Sequence, residues 1–166
     1  MGALLGLLAS AIVTAGPQPT LSDDLLDRLV GTCVLEGTIA GKPTTHDVAA
    51  EWVLNHQFVR LHEVSREKNE KGQPSYEAMV FVGRDESTKE LVAIWLDIWG
   101  GASDATIGRG VRAGDRIPFL FKDTKSRFHN VFDYARATDT WTWTMDNEGK
   151  DGALVPFARL KLTRKA

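Results

Sequence analysis

The stretch HDVAAEWVLNHQFVRLHEVS, residues 46–65, decides the fold. Apolar and polar side chains alternate along both halves, which is the period of a strand and not of a helix. Asn55-His56 sits between the halves as a two-residue turn, since Asn tolerates positive φ. Such a turn sets Leu54 opposite Gln57, Trp52 opposite Val59 and Glu51 opposite Arg60. One face then carries His46, Val48, Ala50, Trp52, Leu54, Val59, Leu61 and Glu63. It is the more apolar face and is expected to point inward. The other carries Asp47, Ala49, Glu51, Arg60 and His62, with Glu51 and Arg60 as a cross-strand ion pair. The reading puts two ionisable side chains, His46 and Glu63, in one interior neighbourhood.

The same alternation continues on both sides. Strands are expected at Thr32–Ile39, His46–Leu54, Phe58–Ser65, Ser75–Gly83, Leu91–Trp99, Ala105–Val111, Arg116–Lys122, Arg127–Tyr134, Thr140–Met145 and Val155–Thr163. Turn-rich segments such as Gly41-Lys42-Pro43, Lys68–Pro74, Asp85–Lys89 and Asn147–Gly152 separate them. About ten short strands with no helix between them predict an all-β fold. The expected architecture is a single antiparallel up-and-down barrel, which leaves no open sheet edge.

Ahead of the strands, residues 21–30 predict one short helix. Thr20 or Ser22 caps it, and Leu21, Leu25, Leu26 and Leu29 share a face. Residues 17–30 are therefore linker and helix, and 31–166 the barrel domain. Residues 1–16 carry no charge and include an apolar run from Leu4 to Val13. Val13-Thr14-Ala15 resembles a secretory cleavage site. This stretch reads as an export signal, placing the protein in the periplasm or outside the cell. A helix packed on a cytoplasmic domain is the other reading. The run is too short for a stable membrane span.

Twenty Lys and Arg oppose 22 Asp and Glu, for a formal net charge of -2. That balance supplies no basic field for phosphates, so nucleic acid is excluded as a partner. Arg159, Lys161, Arg164 and Lys165 read as a solvated last strand. Cys33 is the single cysteine, so no intrachain disulfide forms. Its apolar setting marks it as a small buried hydrophobe.

The hairpin across Asp85–Lys89 offers a second pocket wall. A three-residue loop sets Met79 opposite Trp95 and Glu77 opposite Asp97. One face then has Glu77, Met79, Phe81, Leu91, Ala93, Trp95, Asp97 and Trp99. The other, with Tyr76, Ala78, Val80, Val82, Val92, Ile94, Leu96 and Ile98, is wholly apolar and needs a cover. The helix at 21–30 or a homodimer partner could supply it, or this face is the core and the assignment reverses.

The expected pocket residues are His46, Trp52, Glu63, Glu77, Trp95, Asp97, Trp99, Trp141 and Trp143. The tryptophans give apolar contact area, and Trp141 and Trp143 share a face. A histidine beside a buried carboxylate suits general acid–base work. A hydrogen-bonded polar cluster that fixes strand register is the simpler account. His46 and His62 point to opposite faces, and no short metal-ligand motif is present, so no metal is expected. Haem remains open through His129 as an axial ligand. Gly108-Arg109-Gly110 lacks the following helix that phosphate cradling needs and reads as a bend. No catalytic residue is assigned.

Leu29-Val30-Gly31-Thr32, His46 and Glu51-Trp52-Val53-Leu54 together carry a resemblance. It continues through Gly72-Gln73-Pro74, Tyr76-Glu77-Ala78, Gly83, Asp85 and Trp95-Leu96-Asp97. It closes with Asp139-Thr140-Trp141-Thr142-Trp143 and Phe157-Ala158-Arg159. Residues 25–164 resemble a bacterial family of calycin-like (lipocalin-like) barrels known only as a domain of unknown function. The resemblance implies a barrel of about ten strands, often behind an export signal. It brings no reaction and no catalytic residues. Arg84 stands where such sequences have an aromatic residue, and Cys33 where Trp is common. Both changes are expected to reshape the barrel mouth or one end of the cavity. The leading expectation is a non-enzymatic barrel for a small hydrophobic or amphipathic ligand. An acid–base isomerase or hydrolase at His46 and Glu63, and a haem-binding barrel, are the alternatives.

Overall fold

In the computed structural model, which describes residues 20–100, 103–124 and 126–165, ten antiparallel strands close into an up-and-down barrel. They are β1 (Gly31–Ile39), β2 (Lys42–Val53), β3 (Phe58–Ser65), β4 (Glu77–Arg84), β5 (Leu91–Asp97), β6 (Ile107–Gly110), β7 (Arg116–Lys122), β8 (Arg127–Ala135), β9 (Thr140–Glu148) and β10 (Leu154–Arg164). Each strand pairs with its neighbours in the chain, and β10 closes on β1 from Cys33–Arg164 to Ile39–Ala158. The expected barrel is the observed one. The reading of residues 1–16 as an export signal falls outside the described residues. No helix among the described residues is long and apolar enough to cross a membrane.

Because every connection is a hairpin, the loops alternate between two ends. The β1–β2, β3–β4, β5–β6, β7–β8 and β9–β10 loops share one end. The remaining loops share the other with the start of β1. There α1 (Asp24–Asp27) acts as a plug, burying Leu21, Leu25, Leu26 and Leu29. The helix is shorter than expected, and its cap is Asp23, whose Oδ1 accepts from the amides of Leu25 at 2.9 Å and Leu26 at 3.1 Å. It lies across the barrel end instead of covering the outer face of β4–β5. Trp52 Nε1 donates to Asp27 at 2.9 Å, Trp141 Nε1 donates to the Arg28 carbonyl at 3.2 Å, and Arg112 bonds Asp23 and Asp24 at 2.7 Å.

The 46–65 hairpin has the expected register, with His46 opposite Ser65, Glu51 opposite Arg60 and Trp52 opposite Val59. Its loop is longer, since pairing ends at Val53–Phe58 and Leu54, Asn55 and His56 all take positive φ. The loop lengthens by one residue on each side, so the register survives. Leu54, expected inside, is instead exposed in the turn.

The β4–β5 hairpin corrects the sequence reading. Val80 pairs with Trp95, Ala78 with Asp97 and Met79 with Leu96. Asp85 builds the turn: its Oδ1 accepts from the amides of Ser87 at 2.9 Å and Thr88 at 3.3 Å, while its own amide donates to the Glu90 carbonyl at 2.9 Å. That turn takes one residue more than a three-residue loop, and a one-residue slip inverts a strand's faces. Strand β5 keeps the expected inner set of Leu91, Ala93, Trp95 and Asp97. Strand β4 is inverted: Ala78, Val80 and Val82 are buried, while Glu77, Met79 and Phe81 face outward.

Two glycines of β6 serve close approach and not a bend. A Cβ on Gly110 would stand 1.7 Å from the Pro118 carbonyl oxygen, and one on Gly108 would stand 2.5 Å from the Phe121 ring. The plugged half of the barrel is packed solid with Leu35, Val59, Leu61, Val80, Val82, Ile117, Phe119 and Phe132. Cys33 is buried there, and burial pushes its thiol pKa up. Arg84 and Cys33, expected to reshape the barrel mouth or one end of the cavity, both lie at this plugged end, away from the open mouth.

Candidate functional site

The open half of the barrel encloses a cavity of about 700 Å³. Ten strands make a lumen wider than the eight-stranded case, which side chains just fill. Small residues in its lining, among them Thr44, Ser75, Gly100 and Ala105, leave the space unfilled. Strands β1 and β2 contribute Ile39, Lys42, Pro43, Thr44 and His46. The β3–β4 region contributes Glu63, Glu67, Ser75 and Tyr76, and the β5–β6 region Trp95, Asp97, Trp99, Gly100, Ala105 and Thr106. Phe121, Ser126, Phe128, Met145, Asn147 and Phe157 complete the wall.

The polar centre of the wall is His46–Glu63. Both residues are 2% exposed. The two positions lie on adjacent strands and point inward, so their side chains meet. His46 Nδ1 donates to Glu63 Oε1, and His46 Nε2 is hydrogen-bonded to the Thr44 hydroxyl at 2.7 Å. Thr44 precedes His46 by two residues and therefore shares its face. Glu63 Oε2 is buried and has no hydrogen-bond partner among the described residues. Its cross-strand neighbour on β4 is Ala78, which offers no donor.

Aromatic rings surround this pair. The Tyr76 ring lies 5.7 Å from the His46 ring and 5.1 Å from the Trp99 ring. Trp95 Nε1 donates to the Tyr76 hydroxyl oxygen at 3.0 Å. Burial, then the Glu63 and Asp97 carboxylates, hold the Tyr76 phenol above its ordinary range, so it stays neutral. Trp95 rests against Trp143 at 5.5 Å, and Trp143 stacks on Phe132 at 4.4 Å, which makes a solid aromatic floor. Trp99 is 76% exposed and stands at the rim.

Of the expected pocket residues, His46, Glu63, Trp95, Asp97 and Trp99 line the cavity. Trp143 is fully buried one layer beneath it, its indole donating to Asn130. Trp52 and Trp141 lie on the inner face at the plugged end, where they hold α1. Glu77 is outside, bonded to His62 at 2.7 Å, because β4 is inverted. His129 also faces outward and bonds Glu148 at 2.7 Å, so it cannot reach a ligand in the lumen. Among the described residues, no group of three or more His, Cys, Asp or Glu is placed to share a metal ion.

Sequence reasoning missed Tyr76, Thr44 and Phe157. The sequence reading sets Tyr76 on the outer face with Ala78, Val80 and Val82. Thr44 adjoins the turn that the sequence predicts at Gly41-Lys42-Pro43, but the observed turn is Ala40-Gly41 and β2 begins at Lys42. Its two-residue spacing from His46 was the available signal. Phe157 sits at a β-bulge between Pro156 and Ala158, which re-aims its side chain, and alternation gives no hint of that. In comparisons with known proteins, no family model matches the chain and no curated protein matches it.

Proposed function

We propose that this barrel binds a small amphipathic molecule inside its open half. The observation that carries the reading is a cavity of about 700 Å³ whose wall is aromatic yet holds a buried His46–Glu63 pair. Apolar surface supplies most of the free energy of such binding, and a few polar groups set the orientation. The calycin-like resemblance and export through residues 1–16 belong to the same proposal: a carrier or sensor that works outside the cytoplasm. Titration with N-phenyl-1-naphthylamine, followed by quenching of Trp emission, tests it. Saturable binding of one probe per chain is expected, with loss in the cavity-filling variant T44W. An unsaturable response, or one unchanged by T44W, overturns it.

A second reading has its own observation. Thr44 hydroxyl, His46 imidazole and Glu63 carboxylate form a continuous hydrogen-bonded chain in the cavity wall. That is the relation of nucleophile, base and orienting carboxylate in acyl transfer. Binding remains the leading proposal because it draws on the whole aromatic wall of the cavity and not on three of its residues. A screen of small aryl esters tests the enzymatic reading. Turnover faster than that of H46Q supports it, and equal rates overturn it.

A further inference from the structure

Resting on the binding proposal, we infer that the guest is an organic ammonium, an apolar body with a cationic hydrogen-bond-donating head, seated between Glu63 and Asp97. On the inner wall Glu63 pairs with Ala78, and Ala78 with Asp97, so these three form one row across β3, β4 and β5. Neighbouring strands stand about 4.8 Å apart, which puts the two acidic positions about 10 Å apart with only a methyl group between them. Both acidic residues line the cavity, and a head group seated in it meets a carboxylate on each side.

Glu63 asks for a donor there. Its Oε1 accepts the hydrogen bond from His46 Nδ1, and its buried Oε2 accepts none among the described residues. A buried acceptor without a donor is unfavourable, and a charged donor satisfies it best. The remaining charge in the wall points the same way. Glu63, Glu67 and Asp97 face Lys42, while His46 is already bonded to Glu63 and Thr44. A carboxylate head, as on a fatty acid, would meet like charge at the row. Tyr76, Trp95 and Trp99 stand around the same spot and offer the ring faces that attract ammonium groups.

Three matched probes decide the matter: 1-naphthylmethylamine, 1-naphthalenemethanol and 1-naphthoate, titrated calorimetrically at about pH 7, where the amine is protonated. The amine is expected to bind about tenfold tighter than the alcohol and more so than the carboxylate. E63Q should remove most of that advantage, bringing the amine close to the alcohol. D97N, at a half-exposed position, serves if E63Q does not fold. Equal binding of all three, or an advantage that survives both variants, overturns the cationic head group and leaves the binding proposal standing. Binding of none overturns both.

Discussion

Trp95 Nε1 donates to the Tyr76 hydroxyl oxygen at 3.0 Å, and this bond joins the floor of the cavity to the wall beside His46. Tyr76 directly precedes β4 and Trp95 lies within β5, so the contact exists only in the observed register. The variant Y76F leaves a half-buried indole N–H without its acceptor. It is expected to cost about 1 kcal/mol in urea unfolding and to shift Trp emission. A stability equal to that of the parent would show that the indole finds another acceptor.

The His46–Glu63 pair makes a sharper prediction. Removing one partner strands the other in a buried site, so H46L is expected to cost about 3 kcal/mol or more. Replacing both, as in H46L/E63M, should cost less than H46L alone, because no unpaired charge remains. Chemical denaturation of the three proteins gives the comparison. A double variant less stable than H46L would mean that the pair stabilises the barrel through its bond and not through mutual compensation.

Gly110 is expected to tolerate no side chain. A methyl group there overlaps the Pro118 carbonyl, and that clash is with backbone. G110A should therefore pull β6 from β7, visible as fast amide exchange in both strands. Native-like protection in G110A would show that the strands can separate slightly without loss.

Acid should weaken the barrel from its surface. Asp47 is held well below the usual carboxylate range by hydrogen bonds from Arg66 and then Lys165, and Asp139 is lowered chiefly by the Tyr134 hydroxyl. A carboxyl with a depressed folded-state pKa stabilises at neutral pH. That contribution is lost as pH falls from its unfolded value toward its folded one. The urea midpoint should fall between about pH 5 and about pH 2, and the fall should be smaller in D139N. An identical profile in D139N would remove Asp139 from the account.

The barrel was legible in the sequence because alternation is imposed on every strand by the same inside and outside. His46 and Glu63 were legible because their hairpin loop lengthens evenly and leaves the register alone. Glu77 was misplaced for the opposite reason. The Asp85 turn adds one residue, and the strand face depends on that count alone. The cover expected over β4–β5 has less to cover: Val80 and Val82 are inside, so only Val92, Ile94, Leu96 and Ile98 of that run join Met79 and Phe81 outside. Trp52 faces inward as its hairpin register requires, and Trp141 shares the inward side with Trp143. Alternation says which side of the sheet a residue takes, but not which end of the barrel, and it could not reveal that α1 plugs one of them.

The five indole N–H signals give the most direct test of the central claim. Two-dimensional nuclear magnetic resonance of the protein saturated with 1-naphthylmethylamine reports each tryptophan separately. The account predicts large shifts for Trp95 and Trp99 at the cavity, and little change for Trp52 and Trp141 at the plugged end. Unmoved Trp95 and Trp99 signals, or shifts confined to the outer residues Leu96, Ile98 and Ile107, would contradict it.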